Sequence, residues 1–171
     1  MERAKLITST YLKIALVGAG GVGKSAISTR LSTGTFVESS MTIGLDVESW
    51  SFVDADLGCE VKASLFDLGG QEHFRFFHEG FMTGANLVVI VFDVTRFMTF
   101  MDIDEWLPLI GHIPREKWIL VGNKVDEGIQ VDEDAIKAKA AELGIPYLLI
   151  SCKSGSSFDE LVELIQSKCK E

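Results

Sequence analysis

The sequence predicts a single α/β domain, in which a six-stranded, mostly parallel sheet carries helices on both faces. Two observations support this prediction. Six short apolar runs alternate with helical patterns along the chain, and two of those runs are apolar at every position, as strands covered on both faces are. The 171 residues, 47% of them hydrophobic, suit one domain with one buried core, which we place at residues 1–171.

The strands are predicted from apolar runs bounded by turn residues. They are expected at residues 12–17, 47–53, 61–66, 87–92, 118–121 and 147–150. Residues 54–58, Asp-Ala-Asp-Leu-Gly, have a turn composition that predicts an antiparallel hairpin between the second and third strands. Asp93 ends the fourth strand, where we expect it to cap the following turn.

Three helices are marked by their ends. The first is expected over residues 24–31 and is ended by Gly34, and another runs from near Asp132 to Gly144. The last begins at Ser157, which stands three residues before Glu160 and predicts a capping box. Its apolar face is expected to comprise Phe158, Leu161, Val162 and Ile165.

Composition excludes several classes of protein. With 16 basic and 25 acidic residues, the net charge of −9 argues against a nucleic-acid partner. No apolar run approaches the roughly 18 residues of a membrane span, and the N-terminus does not read as a signal peptide. The three cysteines are too few and too scattered for a disulfide framework or a zinc site. A cytoplasmic location is therefore expected.

A phosphate-binding loop is predicted directly after the first strand. Residues 18–25 read Gly-Ala-Gly-Gly-Val-Gly-Lys-Ser and open the first helix. Glycines let successive backbone N–H groups point at phosphate oxygens, and the helix N-terminus adds its positive dipole end. Lys24 would place its charge on the β- and γ-phosphates, and the Ser25 hydroxyl is a hard oxygen ligand for Mg²⁺.

Guanine selectivity is predicted by the segment that follows the fifth strand, Asn123-Lys-Val-Asp126. The Asp126 carboxylate can accept from both the ring N–H and the exocyclic amine of guanine, a donor pair that adenine lacks. Asn123 can bond the other edge of the base, and the stem of Lys124 can lie along its face. The position of this tetrapeptide, two parallel strands after the phosphate loop, strengthens the prediction.

With these two motifs in place, the chain resembles the Ras superfamily of small GTPases. Five motifs occur in the family's order and approximate spacing over nearly all of the chain. Residues 41–44, Met-Thr-Ile-Gly, resemble the first switch of Rab and Arf proteins. Residues 67–71, Asp-Leu-Gly-Gly-Gln, resemble the second switch in its Arf-like spelling, and residues 151–153, Ser-Cys-Lys, resemble the guanine-contacting motif of the sixth strand. The resemblance implies a single P-loop GTPase domain.

The resemblance also implies roles for individual residues. It assigns catalysis to Gln71, which would orient the attacking water, to Gly70, whose N–H would meet the γ-phosphate, and to Lys24. It assigns Mg²⁺ to Ser25, to Thr42 and, through water, to Asp67. The residues implied to bind GTP or GDP are Gly18, Gly20, Gly21, Val22, Gly23, Lys24, Ser25, Ala26, Phe36, Thr42, Gly70, Asn123, Lys124, Asp126, Ser151, Cys152 and Lys153. Phe36 would lie against the guanine, and Cys152 would act through its backbone N–H.

The implied function is a guanine-nucleotide switch that hydrolyses GTP slowly and binds effectors through two loops near Thr42 and Gln71. A GTPase-activating protein, a nucleotide exchange factor and effectors are the implied partners, and the chain is expected to be monomeric. Residues 36–44 contain no arginine, so slow unassisted turnover is expected. They also lack the tyrosine that many relatives have, which predicts faster release of the nucleotide. No prenylation motif ends the chain, so we expect no stable membrane anchor, although peripheral association stays open.

Two other functional classes compete with this interpretation. One is a nucleotide-stabilised binding module that has lost turnover, which single-turnover hydrolysis would reveal. The other is a P-loop kinase or ATPase, which competition between ATP and GTP would reveal. Within the favoured class, a Rab- or Ras-like role in trafficking or signalling and an Arf-like role both stay open, because the motifs mix the two spellings.

Overall fold

The computed structural model describes residues 9–38, 45–54, 56, 58–69, 80 and 82–169. In these residues the strands are β1 (Ser9–Val17), β2 (Leu45–Asp54), β3 (Cys59–Leu68), β4 (Leu87–Asp93), β5 (Trp118–Asn123) and β6 (Tyr147–Leu149). The helices are α1 (Lys24–Thr33), α2 (Phe97–Met101), α3 (Ile103–Ile110), α4 (Glu133–Leu143) and α5 (Phe158–Cys169). Short 3₁₀ helices cover Arg115–Lys117 and Val125–Glu127.

The strands form one sheet in the order β2-β3-β1-β4-β5-β6. Strands β2 and β3 pair antiparallel, and the other neighbours in the described sheet pair parallel. The predicted hairpin is confirmed, and the Gly58 N–H closes its turn by donating to the Asp54 carbonyl at 2.8 Å. The predicted six-stranded, mostly parallel sheet is therefore confirmed.

Two apolar cores lie on opposite faces of the sheet, because side chains alternate along each strand. In β1, Ile14 and Leu16 pack on one face with α1 and α5, whereas Ala15 and Val17 pack on the other with residues of α2, α3 and α4. Strand β4 is buried at all seven positions and contributes to both cores. Helices on both faces, as predicted, explain why this strand reads as a continuous apolar run.

The predicted helix ends are mostly confirmed. Gly34 ends α1 with a φ of 80°, and its N–H donates to the Arg30 carbonyl at 2.8 Å. At α4, the Asp132 side chain accepts from the Asp134 N–H and Gly144 closes the helix in the left-handed region. The capping box predicted at α5 is wrong, because Ser157 has a φ of 55° instead of the extended backbone of an N-cap residue.

Helices α2 and α3 were not predicted from the sequence. Pro108 lies inside α3 and argues against a helix there, although Ile103, Trp106 and Ile110 recur at helical spacing. Tertiary packing determines the structure here, since Phe100, Ile103 and Trp106 are buried in the core. None of the helices in the described part of the chain combines the length and apolar character that crossing a membrane requires.

Candidate functional site

The phosphate loop, residues 123–126 and residues 151–153 lie together at the carboxyl ends of β1, β5 and β6. Parallel α/β sheets bind ligands at this edge. A pocket of about 180 Å³ opens there, more than ten times the volume that one water needs. It is lined by Gly21, Gly23, Ala26, Phe36, Glu38, Asn123, Lys124, Asp126, Glu127, Cys152 and Lys153.

The loop after β1 needs glycine at two positions. Gly18 has a φ of 146°, and a Cβ there would lie 2.1 Å from the Val91 carbonyl oxygen. Gly23 has a φ of 103°, and a Cβ there would lie 2.2 Å from Asn123 Nδ2. The first contact packs the loop on β4, and the second packs it on Asn123, in the segment that was predicted to recognise guanine. Both are close approaches that no other residue allows.

The Lys24 side chain lies inside its own loop. It is 5% exposed, and Nζ donates to the carbonyls of Gly18 and Ala19, each at 2.9 Å. Burial lowers the pKa of Lys24 to about 8, the Asp67 charge opposes this effect, and the Arg96 charge adds to it. The lysine is therefore a poorly solvated cation beside the loop's backbone N–H groups, where an anion would stabilise it.

Ser25 and Asp67 meet beside the phosphate loop. The Ser25 hydroxyl donates to Asp67 Oδ2, and Asp67 is buried near the end of β3. A hydroxyl and a carboxylate are the hard oxygen ligands that Mg²⁺ takes, and Mg²⁺ sites of this kind use few protein ligands beside phosphates and water. The donor set fits the predicted ion. Thr42, the third predicted ligand, lies outside the described residues.

Asn123 joins the three predicted motifs. Its Nδ2 donates to the Val22 carbonyl in the phosphate loop, and its Oδ1 accepts from the Cys152 N–H, both at 3.0 Å. The sequence assigned both Asn123 and the Cys152 N–H to the base. In the structure these two groups bond to each other, so their contacts with guanine stay predictions.

The Asp126 carboxylate is oriented by Ser151. The Ser151 hydroxyl donates to Asp126 Oδ1 at 2.7 Å and accepts from the Ser154 N–H at 2.9 Å. Asp126 and Lys153 line the pocket, as does Phe36, which also packs against the core that contains α1 and α5. Of the predicted site residues, Thr42, Gly70 and Gln71 lie outside the described part of the chain, and the others are gathered around this edge of the sheet.

Burial raises the pKa of the Cys152 thiol to about 11, and the Arg30 charge opposes this effect. The side chain is therefore a neutral, small, buried group, close in character to the alanine that is common at this position of the motif. Its backbone carbonyl accepts from Arg30 Nη1 at 2.8 Å. Arg30 is a positioning residue that the sequence did not reveal, because it lies in α1 outside any motif.

Asp93 was predicted to cap the turn after β4, and this is confirmed. Its Oδ1 accepts from the Thr95 N–H at 2.8 Å and from the Thr95 hydroxyl at 2.6 Å. Its Oδ2 faces Arg96 Nε at 3.1 Å and Lys124 Nζ at 3.3 Å. Burial would raise the pKa of Asp93, but these hydrogen bonds and the Lys124 charge hold it below its usual value. Its contacts to the two cations were not predicted.

Comparison with known proteins agrees with this geometry. The model of the Ras family matches residues 13–171. The chain is 38% identical over 167 residues to the Ras-related protein SEC4 of Saccharomyces cerevisiae, a match that covers 93% of this chain and 77% of that protein.

Plant proteins give similar matches. The chain is 34% identical over 164 residues to the Ras-related protein RABD2a of Arabidopsis thaliana, covering 93% of this chain and 80% of that protein. It is 35% identical over 153 residues to the GTP-binding protein YPTM1 of Zea mays, covering 86% of this chain and 73% of that protein. The chain therefore belongs to the Ras family, on its Rab-like side.

Proposed function

We propose that the pocket at the carboxyl edge of the sheet binds GTP and GDP, and that the chain performs its switch function through this pocket. As a member of the Ras family, the chain is a GTP-binding molecular switch with GTPase activity. The observation that carries the proposal is the Asn123 side chain, which hydrogen-bonds both the phosphate loop and the residue after Ser151. One side chain thereby aligns the loop for phosphates with the two segments for the base.

The phosphate chain would lie on the loop of residues 18–25. Lys24 Nζ now donates to two loop carbonyls, and phosphate oxygens offer it stronger, charge-assisted acceptors. Ser25, Asp67 through water, and Thr42 would hold Mg²⁺. When bound, Mg²⁺ would neutralise charge on the β- and γ-phosphates.

The base would lie between Phe36 and the stem of Lys124. The Asp126 carboxylate would accept from the two guanine donors, and its Oδ1 also accepts from the Ser151 hydroxyl. Lys124 is fixed for this role by its left-handed backbone, with a φ of 72°, and by the Asp93 carboxylate. Base selectivity would therefore depend on Asp126, which Ser151 orients, and on Lys124, which Asp93 holds.

Hydrolysis would depend on Gln71 to orient water and on the N–H of Gly70 to contact the γ-phosphate. Two loops near Thr42 and Gln71 would change with the nucleotide and bind effectors. An activating protein would supply an arginine and an exchange factor would release GDP. Rab-type names among the relatives favour a Rab-like role over an Arf-like one, with peripheral association at membranes.

Single-turnover hydrolysis tests the switch function directly. Without a partner, purified chain loaded with GTP and Mg²⁺ is expected to convert GTP to GDP on the order of 10⁻⁴ to 10⁻³ per second, the unassisted rate of Ras itself. Gln71→Leu should lower this rate at least about tenfold while GTP binding persists, because Gln71 orients water and does not hold the nucleotide.

Two outcomes would contradict the proposed turnover. Tight GTP binding with no hydrolysis over a day would instead support a nucleotide-stabilised binding module. Turnover faster than about 0.1 per second, well above the unassisted range, would show that the chain supplies its own arginine for the transition state. Arg75→Ala, which alters the arginine that follows Gln71, would then identify whether that residue is responsible.

A further inference from the structure

Arg96 is an arginine beside the phosphate loop that no motif assigns. It lies just after β4, and its Nη2 donates to the Gly20 carbonyl at 2.9 Å. A Cβ built on Gly21 would lie 3.3 Å from the same nitrogen. The guanidinium therefore packs directly on the backbone of residues 20–21, in the centre of the phosphate loop.

The buried carboxylate of Asp93 fixes the position of Arg96. Asp93 is 2% exposed in its side chain and accepts from Arg96 Nε at 3.1 Å. The Asp93 carboxylate accepts hydrogen bonds from the Thr95 N–H and hydroxyl, and these bonds fix its position beside the loop. The turn after β4 therefore fixes the orientation of the Arg96 side chain.

The guanidinium keeps donors for a further ligand. The Arg96 side chain is 48% exposed, and within the described residues its Nη1 has no partner in the protein. An arginine has five N–H donors and stays charged at all physiological pH values. An anion on the phosphate loop would therefore lie beside the permanently charged Arg96 guanidinium, whose Nη1 can donate hydrogen bonds to it.

The local charge contrasts with that of the whole chain. The chain has a net charge of −9. Beside residues 20–21, however, Arg96 and Lys124 share the single carboxylate of Asp93. Two cations on one carboxylate leave a net positive charge, which an anion on the loop would stabilise. The arrangement favours a polyanionic ligand.

We propose that Arg96 is a second cation of the phosphate site, supplied by the turn after β4 and aimed by Asp93, which strengthens binding of the nucleotide in proportion to its number of phosphates. This inference rests on the proposed function, because it needs a guanine nucleotide in the pocket. The competing interpretation is that Arg96 only braces the Gly20 carbonyl and so shapes the loop. The two differ in how the loss of affinity depends on phosphate number.

The experiment compares two variants that differ in whether they keep the charge. Arg96→Gln removes the charge and, because its side chain is two bonds shorter, also the contact with Gly20, whereas Arg96→Lys keeps the charge. Dissociation constants of wild type and both variants for GMP, GDP and GTP are measured with Mg²⁺ at two salt concentrations. Lys137→Gln, an exposed position on α4, removes the same charge far from the site and is the control.

Arg96→Gln is expected to weaken GTP binding about tenfold, GDP binding about threefold and GMP binding less than twofold, in line with hydrogen bonds to charged groups. Arg96→Lys and Lys137→Gln should stay within about twofold of wild type for all three nucleotides, because neither removes the local charge. The salt dependence of GTP binding should also be shallower for Arg96→Gln than for wild type.

An equal loss for all three nucleotides in Arg96→Gln would overturn the inference in favour of a bracing role. No loss for any of them would overturn it as well. If wild type binds none of the three nucleotides, the proposed function itself fails, an outcome that is distinct from either result.

Discussion

Asp126→Asn is expected to lower the affinity for GDP and GTP by about 10²- to 10⁴-fold, because two hydrogen bonds to a charged acceptor contribute roughly 1.5–3 kcal/mol each. The asparagine amide would face the guanine donors with donors of its own. Xanthine offers an acceptor where guanine has its amine, so xanthine nucleotides should bind the variant more tightly than they bind wild type. Competition of XDP against GDP on both proteins measures the change.

The fold should tolerate this substitution, since an asparagine Oδ1 can still accept from the Ser151 hydroxyl as Asp126 does. Asp134→Asn, an exposed change in the first turn of α4, removes the same charge away from the pocket and should leave base preference unchanged. Unaltered selectivity in Asp126→Asn would show that this carboxylate does not recognise the base.

Lys24→Met is expected to weaken nucleotide binding strongly and to change the stability of the nucleotide-free chain through two effects that oppose each other. Loss of the buried ammonium should weaken GDP and GTP binding by roughly 10² to 10³-fold, since the lost contacts are charge-assisted and well desolvated. In the nucleotide-free chain, however, the charged lysine is held at a cost, because its pKa falls from 10.5 to about 8. Methionine removes that cost and fills the same space.

The balance for the free chain follows from two opposing effects. The pKa change corresponds to roughly 3 kcal/mol, and the two lost bonds to the Gly18 and Ala19 carbonyls, which the charged ammonium donates, contribute about 1.5–3 kcal/mol each. The unfolding free energy of nucleotide-free Lys24→Met should therefore stay equal to that of wild type or fall below it by up to about 3 kcal/mol at pH 7. Urea unfolding of chain stripped of nucleotide measures it, with Lys137→Met on the exposed face of α4 as the control.

The same shift predicts a pH dependence of stability. Between pH 8 and 10.5 the unfolded lysine keeps its proton while the folded one has lost it, so unfolding takes up a proton. Wild-type stability should gain from this residue as the pH rises through that window, and Lys24→Met should lack the gain. A variant whose stability depends on pH as strongly as that of wild type would contradict the buried position of Lys24.

The fold could be predicted because its strands are short apolar runs with clear boundaries. Strand β4 reads as a continuous apolar segment, and Gly34 and Gly144 mark helix ends by a backbone conformation that glycine favours.

Helix α3 was missed although Ile103, Trp106 and Ile110 recur at helical spacing, because Pro108 inside it argues against a helix. Packing against the sheet overrides that local signal. A local signal was also wrong at α5, where Ser157 forms no capping box.

The site was predictable where its chemistry is contiguous in sequence. The phosphate loop and the guanine segment are short motifs whose geometry follows from local backbone. Arg96, in contrast, reaches a loop 76 residues earlier, and Arg30 reaches Cys152 across 122 residues. Such contacts exist only after the sheet has assembled, and a single sequence gives no periodicity or motif from which to infer them.

Identification of the nucleotide that the purified protein carries tests whether the pocket at the carboxyl edge of the sheet binds a guanine nucleotide. The chain is denatured and the released small molecules are separated by chromatography, with the protein quantified in the same sample. We expect about one guanine nucleotide per chain, mostly GDP, because the backbone loop, Lys24 and Asp126 all act on one buried ligand. An adenine nucleotide in that position, or an empty protein that does not take up GDP with Mg²⁺, would contradict it.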